Sequence, residues 1–250
     1  MQRQIGKRER NIFNPKSKTP FKLSRSRLEN FLRCELCFYL DRRLGVDQPP
    51  GFPFTLNNAV DHLLKKEFDI HRIAKSAHPL MEQYGVDAVP FEHSDLEKWR
   101  ENFVGIQYLH EPTNLLITGA VDDIWINPQG ELIVVDYKAT STEYEITLDA
   151  EYRQAYKRQM EIYQWLFRRN GFAVSSTGYF VYVNALKDRK AFDKKLEFSV
   201  NLLSYTGSDA WVEKMIIDAH ACLAKDAPPA PSKSCEYCAY RAAANEVLGK

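Results

Sequence analysis

The sequence predicts an α/β fold with a central mixed sheet flanked by helices. Three observations predict it. Two apolar runs rich in β-branched residues, one leading from Leu115 to Ile126 and one from Glu131 to Tyr137, flank a short turn. The clearest helical pattern runs from Asp149 to Asn170 and is closed by Gly171. Two further strand-like runs follow it, Val174–Val183 and Lys195–Val200.

The elements can be justified in order. Met1–Pro20 carries Arg3, Lys7, Arg8, Arg10, Lys16 and Lys18 against Glu9 alone. It reads as a basic, flexible, solvated tail, compatible with a nearby phosphate backbone. Residues 21–250 then read as one domain with elaborations. Leu23–Leu32 predicts a short helix, with Ser24 as N-cap and Leu28, Phe31 and Leu32 on one face. Pro49, Pro50, Gly51 and Pro53 mark a loop. Thr55 caps a second helix to about His71, with Ala59, Leu63 and Phe68 among charges, and His62 on it. Shorter helices are expected over Pro79–Tyr84 and Ser94–Phe103, and the sheet is expected to begin near Leu115. Asp209–Leu223 is the last long helix; Pro228, Pro229 and Pro231 break it from a short cysteine-bearing tail.

Bulk properties exclude some classes. The chain has 250 residues, 44% hydrophobic and 27% charged, with net charge +1, which is ordinary for a globular protein. No apolar run reaches the length of a membrane span, and Met1–Pro20 has no apolar core of a secretory signal. No membrane role and a cytoplasmic location are the expectation.

The hairpin holds the chemistry. Pro128 presets the first turn position and Gly130 takes the left-handed one, which fits a three-residue loop closed by Asn127 and Glu131. That register sets Asp122 opposite Asp136. Lys138 shares the face of Asp136, while Asp123 and Tyr137 face the other way. Acids inside apolar runs cost folding energy unless they bind something. Two converging carboxylates suit magnesium or manganese, and a lysine beside them suits a water or a developing phosphorane. The blander alternative is a strand-end salt bridge in solvent. Gln159 and Tyr163, one turn apart, share a helix face. Taken alone, they and His62 read as ordinary packing or surface residues.

Four of the five cysteines form two C-x-x-C pairs, Cys34/Cys37 and Cys235/Cys238. This spacing suits a [4Fe–4S] cluster or tetrahedral zinc, with reduced thiols as the alternative. Cys222 reads as a core thiol.

The elements Gly119-Ala120-Val121-Asp122, Asp136-Tyr137-Lys138 and Gln159-Met160-Glu161-Ile162-Tyr163, in that order, resemble RecB-like nucleases of the PD-(D/E)XK superfamily. So does the opening stretch Leu23–Gly45 with its first cysteine. The resemblance implies a restriction-endonuclease-like core with a cysteine-stapled N- and C-terminal helical subregion. It implies Asp122, Asp136 and the Tyr137 carbonyl as ligands of magnesium or manganese, Lys138 as the catalytic lysine, and Gln159 and Tyr163 as further catalytic residues beside the site, in contact with DNA or the catalytic lysine. It implies His62 as a further metal ligand, although Asn58 stands where the family usually has glycine. Similarity to the CRISPR-associated iron–sulfur exonuclease and AddB-type domains implies a cluster that pins the chain ends. There one N-terminal cysteine joins three near the C-terminus. Here the last, expected near Ala244, is absent, and Cys37 could supply the fourth thiolate. The implied activity is DNA cleavage at single strands or ends, in repair, recombination or CRISPR adaptation, with helicase or adaptation proteins as partners. No phosphate-binding loop G-x-x-x-x-G-K-[ST] is present, so a motor would be another chain. An inactive DNA-binding or scaffold subunit is the alternative.

Overall fold

The computed structural model describes residues 7–49, 51 and 55–249. Arg3 of the basic stretch, together with Pro50 and Pro53 of the expected loop, lies outside the described residues. The first half comprises β1 (Phe21–Ser24), α1 (Arg25–Arg33), α2 (Glu35–Arg42), α3 (Thr55–Ala74), α4 (Pro79–Gln83), β2 (Val89–Pro90), α5 (Leu96–Arg100) and β3 (Ile106–His110). The second comprises β4 (Leu115–Gly119), β5 (Asp123–Ile126), β6 (Leu132–Thr140), α6 (Gln154–Arg169), β7 (Thr177–Ala185), β8 (Phe198–Thr206), α7 (Val212–Ala224) and α8 (Glu236–Val247). This is a mixed α/β architecture of two sheets flanked by helices. No helix among the described residues is long and apolar enough to cross a membrane.

The chain divides into two compact units. One takes the described parts of Met1–Phe52, Tyr108–Thr118 and Ala210–Lys250. There α1, α2 and α7 pack together, and β1 pairs in parallel with β4. Leu23, expected in a helix, is instead a strand residue paired with Ile117. The parallel ladder claims it, and the helix starts after Ser24, as the expected N-cap requires. Ser24 does occupy the N-cap position, but its side chain makes no cap bond, and its hydroxyl lies 3.0 Å from that of Ser26. The basic stretch expected as a solvated tail is anchored from residue 7. Lys7 bridges Val46, and Arg8 pairs with Asp41 and Asp47. Phe13 is buried and meets Phe21 and His220 edge-on. One aromatic anchor and a buried carboxylate partner are enough to order a run whose composition alone suggests solvation. The C-terminal segment after Cys235, expected as a tail, is the helix α8.

The other unit takes the described parts of Pro53–Gln107 and Gly119–Asp209. Its five-stranded sheet has the order β2-β5-β6-β7-β8. β6 is central, antiparallel to β5 and parallel to β7. The hairpin register is the expected one. Ile126 faces Leu132 and Asp123 faces Val135, the Asn127 amide donates to the Glu131 carbonyl at 3.1 Å, and Gly130 has φ +80°. The expected start near Leu115 does not belong to this sheet: Leu115–Gly119 is β4 of the three-stranded sheet β1-β4-β3, and here the hairpin begins at Asp123 with the short β2 at its edge. Odd-numbered strand residues Trp125, Ile133, Val135, Val181 and Val183 form a core with Leu64 and Phe68 of α3. α6 packs against β6 and is enclosed all round, with Gln159–Phe167 buried. α3 runs to Ala74, about one turn past the expected end; β8 begins at Phe198 and α6 at Gln154, each three or more residues later than expected.

Candidate active site

β6 carries the site where its ladder to β5 ends at Val135 while its ladder to β7 continues through Asp136–Lys138, and its residues alternate between faces. Asp136 is fully buried. Its Oδ1 accepts from Gln159 Nε2 at 2.7 Å, and its Oδ2 is ion-paired with Lys138. The Gln159 amide also donates to the Tyr163 hydroxyl at 3.1 Å, so both of its N–H groups are committed. Asp122 lies just outside the ladder, and its Oδ2 accepts from the Tyr137 N–H at 2.8 Å. Arg100 Nε holds the Asp122 carbonyl at 3.2 Å. Gly119 opens this motif for a steric reason: a Cβ there would lie 2.6 Å from a Tyr163 ring carbon.

Lys138 keeps its proton. Burial favours the neutral amine, but the Asp136 and Asp122 carboxylates outweigh it and hold the pKa above the usual lysine value. The ammonium also stands 4.6 Å from the centre of the Tyr156 ring, within reach of its π face.

Two residues at the site escape a reading of the sequence. Asp61 of α3 stands close enough to Asp122 to feel its charge, and Lys65 lies 2.8 Å from Asp61 and 3.6 Å from Asp122. Burial first, then the Asp122 charge, pushes the Asp61 carboxyl up despite Lys65. His62, expected as the ligand from this helix, is exposed. The buried residues Leu64 and Phe68 define the inner face of α3, and Asp61 lies on it three residues before Leu64. Exposed Leu63, Ile70 and Ile73 hide that face in the sequence. The structure thus brings together Asp122, Tyr137, Asp136, Lys138, Gln159 and Tyr163, adds Asp61 and Lys65, and leaves His62 on the surface.

The donor set fits a hard divalent cation. Carboxylates of Asp122 and Asp136, with the Tyr137 carbonyl in the same strand as Asp136, are oxygen donors of the kind magnesium prefers, and Asp61 stands beside Asp122. Two adjacent acids, Asp61 and Asp122, repel unless a cation lies between or beside them.

Beneath this face sits a second cluster. Asp123 is fully buried and accepts from Arg100 at 2.8 Å, the Tyr137 hydroxyl at 2.9 Å, the Ile124 N–H at 2.8 Å, and Arg72. Asp69 holds the Arg100 guanidinium with both oxygens at 3.0 Å. Burial and the Asp123 charge keep the Tyr137 hydroxyl protonated, well above the usual tyrosine value.

The other unit holds the cysteines. Sγ of Cys37 lies 3.5 Å from Cys235 and 3.6 Å from Cys238, and Cys34 lies 3.8 Å from Cys238. All four sulfurs fall within 4.8 Å of one another. Among the described residues, no other group places three or more candidate ligand atoms so close. Cys222 is a separate buried thiol on α7, which burial pushes up to about 11.

Comparison with curated proteins finds no match. The crystal structure of SSO0001 is similar at 18% identity over 94% of this chain and 86% of that one, with a TM-score of 0.37, too low to support inference. A family model described as the PD-(D/E)XK nuclease superfamily matches residues 55–243, a span that includes both hairpin acids, Lys138 and α6. The chain belongs to the PD-(D/E)XK nuclease superfamily.

Proposed function

We propose that this chain is a divalent-metal-dependent deoxyribonuclease, hydrolysing phosphodiesters at single strands or strand ends. One observation carries the reading. A fully buried carboxylate, Asp136, is fixed between Gln159 and Lys138, with the Asp122 carboxylate on the intervening Tyr137 amide. Folding does not reward such an arrangement by itself, since burying charge is costly.

Asp122 and Asp136, with the Tyr137 carbonyl, would hold magnesium or manganese, and Asp61, beside Asp122, would take the place on α3 that the resemblance gives to His62. A bound divalent ion would neutralise phosphate charge and lower the pKa of a bound water. Lys138, held as an ammonium, donates to the attacking water or to phosphoryl oxygens and offsets negative charge as it builds. Gln159 keeps Asp136 in one rotamer. Tyr163 in turn holds Gln159, packed against the bare Cα of Gly119. The resemblance to RecB-like nucleases supports a role in DNA repair, recombination or CRISPR adaptation, beside a helicase or adaptation proteins.

The test is cleavage of labelled single- and double-stranded DNA by the full chain with magnesium or manganese. The parent should cut, and Lys138→Ala should lose about 10²–10³-fold in rate, the scale of one transition-state donor. Asp136→Ala should show no cleavage. A parent protein that binds DNA but never cuts it, with either metal, would replace this reading with that of a scaffold subunit.

A further inference from the structure

The two C-x-x-C pairs are built alike. Cys34 is the N-cap of α2 with Cys37 in its first turn, and Cys235 is the N-cap of α8 with Cys238 in its first turn. Each pair therefore presents its sulfurs at the N-terminus of a helix. N–H donors also aim at these sulfurs. The Ser232 amide donates to Cys34 Sγ at 3.4 Å, and the Cys37 amide and the Gln48 side chain reach Cys34 and Cys37.

The spacing of the sulfurs decides what they can hold. Four thiolates on one zinc ion, each at about 2.3 Å, form a tetrahedron with edges of about 3.8 Å. The three close Sγ pairs here measure 3.5, 3.6 and 3.8 Å. A [4Fe–4S] cluster binds each thiolate to a different iron, with the cage of iron and sulfide between them. Sulfurs already in mutual contact leave no room for that cage. They are also much too far apart for a disulfide, whose bond is about 2.05 Å.

We propose that Cys34, Cys37, Cys235 and Cys238 bind a single tetrahedral zinc ion rather than an iron–sulfur cluster, and that this ion is what docks α8. The second part rests on burial. Of the 12 residues of α8, only Cys238 is buried. Tyr240 and Val247 are exposed at 78% and 85%. A helix this short is marginal in isolation, and this one has almost no apolar face to hold it. Its attachment then comes from two cysteines roughly 200 positions along the chain from their partners.

The experiment uses the full chain purified anaerobically from cells grown with both metals available, so that a cluster would survive. Elemental analysis should find about one zinc per chain, without iron or acid-labile sulfide. Cobalt substitution should give the visible bands of a tetrahedral thiolate site. Titration with an organomercurial should release the zinc, after which amides of α8 should lose hydrogen-exchange protection while those of α1 and α7 keep theirs. Iron with matching sulfide and a broad brown absorption would overturn the assignment. So would a metal-free protein, a Cys37–Cys235 disulfide, or α8 protection unchanged after release. None of these readings depends on nuclease activity.

Discussion

Replacing Asp122 and Asp123 by asparagine, one at a time, should separate chemistry from stability at adjacent positions. Asp123 is fully buried and carries two guanidiniums and a phenol. Removing one side of a buried ion pair costs about 3–5 kcal/mol. Asp69 remains on both arginines, at 3.0 Å from Arg100 and 3.5 Å from Arg72, so the lower figure, about 3 kcal/mol, applies. At roughly 2–4 °C per kcal/mol for a chain of this size, Asp123→Asn should lower the melting temperature by about 6–12 °C. Asp122 differs. Its side chain is 24% exposed, its Lys65 contact is long at 3.6 Å, and Asp61 repels it. Asp122→Asn keeps an acceptor for the Tyr137 amide and relieves that repulsion. Its melting temperature should stay level or rise by about 1–2 °C, within the range of exposed charge changes. Its cleavage rate should fall below about 1% of the parent. Calorimetry and a magnesium-dependent cleavage assay read the two effects. The reasoning fails if Asp123→Asn melts with the parent, if Asp122→Asn loses as much stability as Asp123→Asn, or if Asp122→Asn cuts at the parental rate.

Other positions yield further expectations. Gly119→Ala should drive a methyl into the Tyr163 ring, 2.6 Å from its edge, costing about 1–3 kcal/mol, with a matching loss of cleavage as Gln159 loses its support. Asp61→Asn should raise the magnesium concentration for half-maximal cleavage several-fold, whereas His62→Gln should leave it unchanged; equal effects would restore His62 as the ligand from α3. Burial, and then the charge of His110, pull the His220 pKa below the usual histidine value. The folded state thus binds fewer protons than the unfolded one, and the stability contributed by neutral His220 is fully present above the unfolded value and is lost as pH falls through the lower, folded one. Urea midpoints from about pH 7 to about pH 5 should therefore fall more steeply for the parent than for His220→Gln.

Legibility in the sequence depends on how local the cause is. The hairpin register follows from four residues, Asn127-Pro128-Gln129-Gly130, and from side-chain alternation, so the opposition of Asp122 and Asp136 is readable from the chain alone. The partners of Asp123 are not. Arg72 and Arg100 lie 51 and 23 positions away, and nothing nearby marks them. Leu23 misleads because a single apolar residue ahead of a helix pattern suits either state until β4 pairs with it. The inner face of α3 is obscured by exposed leucine and isoleucine, so the helix pattern does not single out Asp61, and only the resemblance points to His62. The cysteine pairs are visible as metal-binding spacing, but a choice of metal needs the sulfur separations, which only the fold supplies.

The two hairpin aspartates bear on the same peptide. Alternation sends Asp122 to one face of the strand and Asp123 to the other. Tyr137, across the hairpin, meets both: its N–H donates to Asp122 and its hydroxyl to Asp123. The peptide joining Asp136 to Lys138 is therefore clamped from both faces. On the lower face the clamp is a charge-balanced cluster of two arginines and two aspartates, in which the ion pairs on Asp123 and Asp69 offset the cost of burying charge. On the upper face the groups are mismatched, with Asp61 against Asp122 and a buried Asp136 committed to one lysine. Left to itself, that upper face would relax by rotating its carboxylates toward solvent. It does not need to be stable on its own account, because the strand carrying it is pinned by the charges beneath. On the proposed reading, repulsion at the site would be relieved by a bound divalent cation instead of by side-chain movement.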